Sequence, residues 1–263
     1  MGEHNRFYFG TNTKMYKTIA ETASFLTELT ELTREIDREK ATLFVIPSFT
    51  ALQTSGPLAR AGEILLGAQN MGWEAEGPFT GEISPRMLRE VGVEIVEIGH
   101  SERRHVLGET DEMENKKVLC ALENGFRPLL CIGETGEQKR DGIADEILRI
   151  QLKRGLSGVS PAQAAERLLI AYEPVWAIGA GGTPATREYA GEKHGVIHMA
   201  LCELFGAECG GQIPVLYGGS VNAENAVGLA KTPGIDGLFI GRSAWVAKSF
   251  YGIMTAVMNG GVL

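Results

Sequence analysis

Arg6-Phe7-Tyr8-Phe9-Gly10-Thr11-Asn12-Thr13 is an apolar, β-favouring run that turns polar at its end and leads into the amphipathic pattern of Thr18 to Arg38. The first reads as a strand and the second as a helix, from the spacing of their apolar residues. The same alternation recurs along the chain. Further strands are expected over Thr42 to Ile46, Ile64 to Gln69, Glu94 to Ile98, Pro128 to Ile132, Leu168 to Tyr172, Ile213 to Leu216 and Gly237 to Ile240. Helices are expected between them, over Thr50 to Arg60, Pro85 to Val91, Glu112 to Glu123, Ala144 to Arg154, Ala185 to Phe205, Ala223 to Lys231 and Ala244 to Met258. Eight βα alternations without a composition break, repeat or low-complexity linker predict an α/β fold, a single-domain closed (β/α)8 barrel over residues 1–263. A doubly wound open sheet is the competing architecture. The position of the polar residues decides between them, because barrel sites gather at the carboxyl ends of several strands. Asn12 and Lys14, Gln69 and Asn70, His100, Cys131, Glu173, Gly218, Gly219 and Gly241 all fall at such ends.

Composition narrows the function classes. A chain of 263 residues suits one large barrel core. No stretch approaches the roughly 18 consecutive apolar residues of a membrane span. The opening Met1-Gly2-Glu3-His4-Asn5-Arg6 lacks an apolar signal core, so a cytoplasmic location is expected. Cys120, Cys131, Cys202 and Cys209 form no CxxC pair and are read as reduced thiols. A net charge of −8 argues against nucleic acid or an anionic membrane surface as partner. An anionic substrate must therefore be held by local donors.

The strand ends supply candidates for such a site. Asn12 and Lys14 share one parity of the first strand, which places a polar donor and a cation on one face. His100 lies in Gly99-His100-Ser101-Glu102-Arg103-Arg104, after a strand and at the opening of a helix, where unpaired backbone N–H groups favour a neutral ring. Glu173 ends a strand directly before Pro174-Val175-Trp176-Ala177-Ile178-Gly179. A carboxylate beside an apolar flap is placed to act as a general base with water excluded. Tyr217-Gly218-Gly219-Ser220-Val221 and Gly237-Leu238-Phe239-Ile240-Gly241-Arg242 close the last two strands with glycines, where backbone N–H groups can approach a phosphate.

Rival signals are weaker. Gly179-Ala180-Gly181-Gly182 is an incomplete dinucleotide motif after an acidic strand end. His194 and His198 have a zinc-compatible spacing, but without HExxH they are read as a solvated helix face. Cys131 beside His100 could form a nucleophilic pair, although a buried strand-end thiol is the commoner case.

Taken together, Asn12 to Met15, Ala68-Gln69-Asn70, Phe79-Thr80-Gly81-Glu82, Gly99 to Arg104, Cys131-Ile132-Gly133-Glu134-Thr135, Ala171 to Gly179 and Tyr217 to Val221 resemble the triosephosphate isomerase family over essentially the whole chain. The resemblance implies Glu173 as the base, His100 as a neutral electrophile, Lys14 as an electrostatic anchor and Asn12 as support for the carbonyl. It further implies an ion pair from Glu102 to Lys14, Cys131 packed beside Glu173, and Gly179, Ser220 and Gly241 as phosphate donors. No metal or organic cofactor is implied. A homodimer is, through the loop Met71 to Glu82, whose Trp73 and Phe79 want cover and whose Thr80 would reach the partner's strand end near Asn12.

The sequence departs from the family pattern at three places. Thr13 stands where the family usually has Trp, on the parity that faces away from the substrate. The flap hinge reads Ala180-Gly181-Gly182-Thr183-Pro184, and Pro184 lacks the N–H that a latch to Tyr217 would use. Arg242 replaces the second glycine of the phosphate pair, and is expected to influence substrate choice by gripping phosphate or pairing outward with an acid. Such changes resemble paralogues that isomerise L-erythrulose 1-phosphate to D-erythrulose 4-phosphate in tetritol breakdown. On family frequency the preferred substrate pair is glyceraldehyde 3-phosphate and dihydroxyacetone phosphate, a step of glycolysis and gluconeogenesis. The tetrulose phosphates are the alternative, and an inactive phosphate-binding scaffold is the reading from another class.

Overall fold

The computed structural model describes residues 6–179 and 182–262. The amino-terminal segment and the hinge residues Ala180 and Gly181 lie outside the described residues. The strands are β1 (Phe7–Asn12), β2 (Ala41–Ile46), β3 (Leu65–Ala68), β4 (Ile95–Ile98), β5 (Arg127–Ile132), β6 (Leu169–Tyr172), β7 (Val215–Tyr217) and β8 (Gly237–Ile240). Each pairs in parallel with the next, and β8 returns to β1 in the register Tyr8 to Gly237 and Thr11 to Ile240, closing the barrel.

Strand parity builds two apolar layers. On β5, Leu129 and Cys131 point into the barrel with Phe44, Ile46, Ile95, Leu169, Ala171, Leu216 and Phe239. Leu130 and Ile132, one residue out of phase, face the surrounding helices. Inside, the rings of Phe44 and Phe239 stack with centroids 5.6 Å apart. Gly10 makes room for this, since a Cβ there would lie 1.8 Å from the Phe44 ring. Burying one such ring contributes about 2 kcal/mol.

The helix after β1 runs Ile19–Leu32, opened by a capping box of Thr18 and Glu21. It stops earlier than the expected Arg38, at Thr33, whose hydroxyl donates to the Leu29 carbonyl at 2.9 Å. Short helices at Gly136–Arg140 and Pro161–Arg167 lie beyond those expected. The solvated face assigned to His194 and His198 is corrected by the helix Arg187–Phe205. His194 is fully buried, its Nδ1 lies 2.8 Å from the Gly234 carbonyl, and His198 Nε2 reaches the same oxygen at 2.9 Å. Tyr172 and Tyr217 wall the His194 ring. Among the described residues no helix is long and apolar enough to cross a membrane.

Candidate active site

A cavity of about 610 Å³ opens at the carboxyl ends of the strands, lined on one side by Asn12, Lys14, His100 and Glu173 and on the other by Gly179, Gly218, Gly219, Ser220 and Gly241. Phe239, on the inner stack, also lines it. Strand-end residues far apart in sequence are thus brought to one space.

Asn12 closes β1 and uses both ends of its amide. Nδ2 donates to Glu97 at 2.7 Å, while Oδ1 accepts the Lys14 backbone N–H at 2.6 Å. Lys14 takes a left-handed backbone (φ 52°), uncommon outside glycine. Its ammonium meets Glu102 at 2.7 Å.

His100 sits just past β4 and caps the short helix Ser101–His105, its Nδ1 accepting the Glu102 backbone N–H at 3.1 Å. A neutral ring with that nitrogen occupied carries its proton on Nε2. Nε2 faces Glu173 Oε1 at 3.3 Å. Burial, the main cause, holds the imidazole pKa below its ordinary value, with Lys14 and Arg103 adding to the effect and Glu173 opposing it. The 3.5 Å approach of the Glu102 carboxylate to Nδ1 is therefore no ion pair.

Glu173 follows β6 and is buried, its second oxygen accepting the Ser101 backbone N–H at 3.1 Å. Gly218 permits this seat, because a Cβ there would stand 2.9 Å from Glu173 Cγ. Cys131 lies behind it, fully buried and outside the cavity lining. Burial, reinforced by Glu173 and Glu97, pushes its thiol well above the ordinary range, so it is a poor nucleophile.

Glu97, in the middle of β4, belongs to this centre, and sequence reasoning missed it. Burial first, then the charge of Glu173, push its carboxyl well above the usual carboxylate range, against the Asn12 hydrogen bond and the Lys14 charge. The available signal was an acid inside an otherwise apolar buried strand. Donor atoms of Glu97, Cys131 and Glu173 lie within 4.8 Å of one another. A cation there would require a thiolate and two carboxylates in a pocket that favours the protonated thiol and acid, a poor match to metal ligation.

The flap begins at Pro174 and winds through a 3-10 turn, Val175–Ala177. Buried Glu134, after β5, accepts from Trp176 Nε1 at 2.7 Å, Tyr189 Oη at 2.9 Å and Tyr172 Oη at 3.0 Å. One carboxylate so ties the flap's first turn to the helix that follows the flap. Tyr217 is fully buried, and its hydroxyl faces the backbone of Ala185, the residue after Pro184, without a hydrogen bond of regular geometry among the described residues. Arg242 is exposed on the cavity rim and forms no ion pair among the described residues.

Comparison with known proteins agrees with this geometry. The family model for triosephosphate isomerase matches residues 7–257. L-erythrulose-1-phosphate isomerase of Rhizobium etli is 45% identical over 250 residues, covering 95% of this chain and 92% of that protein. The protein of the same name from Mesorhizobium japonicum is 43% identical, with 94% and 96% covered. Triosephosphate isomerase of Carboxydothermus hydrogenoformans is 44% identical, with 95% and 97% covered. The crystal structure of triosephosphate isomerase from Bartonella henselae superposes with a TM-score of 0.85 at 35% identity, covering 97% of this chain and 99% of that one. The chain belongs to the triosephosphate isomerase family and is an isomerase of sugar phosphates.

Proposed function

We propose that the enzyme interconverts L-erythrulose 1-phosphate and D-erythrulose 4-phosphate, using Glu173 as base. The observation that carries the substrate is the similarity, across nearly the whole chain, to proteins named for that reaction from Rhizobium etli and Mesorhizobium japonicum. This reverses the order reached from sequence, where the triose leads on family frequency. The triose phosphates remain the second reading, supported by the similarity to the Carboxydothermus enzyme.

The chemistry follows from the facing pair. Glu173 removes the proton from the carbinol carbon beside the carbonyl, and the C–H electrons form the C=C bond of an enediol(ate) while the carbonyl π electrons pass to oxygen. His100 donates its Nε2–H to that oxygen, and Lys14 offsets the developing negative charge. Returning the proton to the former carbonyl carbon, with the hydroxyl proton exchanged between the two oxygens, moves the carbonyl by one carbon without net oxidation. Asn12 supports the oxygen, and backbone N–H groups at Gly179, Ser220 and Gly241 receive the phosphate. A scaffold would need no base set beside an N–H donor in the wall of a cavity.

Kinetics of both substrate pairs on one preparation test the assignment. We expect kcat/KM to favour the tetrulose phosphate by about tenfold or more, equivalent to ~1.4 kcal/mol of transition-state binding. A preference for glyceraldehyde 3-phosphate would replace it with the triose reading. Failure of either sugar to take up solvent deuterium would support the scaffold.

The assembly we propose is a homodimer in the cytoplasm. Phe79 (40% exposed) and Met87 flank a groove of about 320 Å³ with Trp73, while Met15, beside the anchor, is 95% exposed. In an isologous pair each patch covers the other.

A further inference from the structure

The left-handed turn at Lys14 persists only if its surroundings hold it, since such backbone costs about 1–2 kcal/mol in a residue with a Cβ. Two brackets are visible. From the β3 side, Gln69 Nε2 donates to the Lys14 carbonyl at 2.8 Å and to Asn12 Oδ1 at 3.1 Å. From the β8 side, Trp245 Nε1 donates to the Asn12 carbonyl at 2.9 Å. The Trp245 ring packs on Tyr16, centroids 4.7 Å apart, so the indole grips the turn both before and after Lys14. Both aromatics line the cavity.

Neither belongs to the apolar layers: Trp245 is half-buried and Tyr16 is 58% exposed. Core burial therefore does not account for an indole at this place, and its N–H could equally have been satisfied by solvent. We propose that Trp245 is a positioning residue, which by its hydrogen bond to Asn12 and its stack on Tyr16 fixes the Lys14 ammonium over the cavity. This rests on the reading of Lys14 as the electrostatic anchor. Without the indole N–H the turn loses its tie to the β8 side and keeps the Gln69 bonds and its own backbone bonds, the Asn12 Oδ1 contact among them, and the ammonium leaves the position set by Glu102.

Trp245→Phe tests this, because it retains the ring and removes the donor. A crystal structure of the variant decides the positioning itself. We expect the Lys14 ammonium displaced from Glu102 or the turn disordered, and an unmoved Lys14 would overturn the proposal. Steady-state kinetics decide the consequence. Trp245→Phe should lower kcat/KM about tenfold while the thermal midpoint stays within a few degrees. Added to Lys14→Ala, it should cost nothing further, because both changes remove the same interaction. Multiplicative losses in the double variant would show that Trp245 acts elsewhere and would also overturn the proposal. Full activity in Lys14→Ala would instead sink the anchor reading, leaving the structure of Trp245→Phe to judge the positioning.

Discussion

His100 Nε2 stands 3.3 Å from Glu173 Oε1, although the two residues follow β4 and β6, which are separated in the barrel by β5. One is a proton donor and the other an acceptor, and both border the same cavity. A substrate in the cavity can therefore present its carbonyl oxygen to the imidazole and its neighbouring C–H to the carboxylate, taking the place of their direct contact.

Glu173→Gln keeps the shape and removes the proposed base. The expected outcome is a fall in kcat of about 10²–10⁴, the usual worth of general-base catalysis, with KM little changed. Steady-state assays check it, and turnover close to the parent enzyme would refute the mechanism. Chelators should leave activity unchanged in the same assay.

Gly218→Ala probes the seat of the base. Its new Cβ would stand 2.9 Å from Glu173 Cγ, too close to be accommodated without moving the carboxylate. We expect kcat to drop by about tenfold or more, since misplacement of a reacting group by an ångström is that costly. Thermal melting should change far less than turnover. Equal losses in both would assign Gly218 to folding alone.

His194 sets an acid limit on stability. Burial is the main reason that its pKa is lowered to about 4, from an ordinary 6.5. In the unfolded chain the ring protonates as pH falls through 6.5, whereas in the folded protein it stays neutral until about 4. Its contribution is thus complete above 6.5 and is lost as pH falls to about 4, a window worth ~3 kcal/mol. His198, whose pKa Asp236 raises, acts in the opposite direction. Denaturant melts at several pH values should show a shallower acid slope in His194→Gln than in the parent.

Phe79→Glu places a charge at the centre of the proposed interface. Sedimentation should find the parent as a dimer and this variant as a monomer at micromolar concentration, with much reduced activity. A fully active monomeric parent would remove the dimer from the reading.

Much of this was legible beforehand, for identifiable reasons. All eight strands are short buried runs bounded by polar residues, glycine or proline, so pattern locates them within a residue or two. Glu173, His100 and Lys14 follow strand ends and line one cavity, where packing does not explain a polar residue. Glu97 was not read because it lies within β4, and its role depends on Asn12, Cys131 and Glu173 converging from three other strands. His194 was misread because helical spacing alone cannot say which face a neighbouring loop will cover. The helices at Gly136–Arg140 and Pro161–Arg167 are different. Their capping boxes, Thr135 with Gln138 and Ser160 with Gln163, were present in the sequence as start signals.

The seam between β1 and β8 constrains how the enzyme comes into being. Tyr8 pairs with Gly237, and the Trp245 indole reaches Asn12 across 233 positions of chain. During synthesis β1 is the first strand to emerge and waits for a neighbour that follows the other six. No amino-terminal fragment can complete the ring, and until the eighth strand arrives β1 presents an unpaired edge to other nascent chains. Closing so long a loop adds little to its entropic cost but much to its delay, which places the final ordering of Lys14 among the late events of folding. Activity should therefore appear only once β8 has been made, making catalysis itself a reporter of barrel closure.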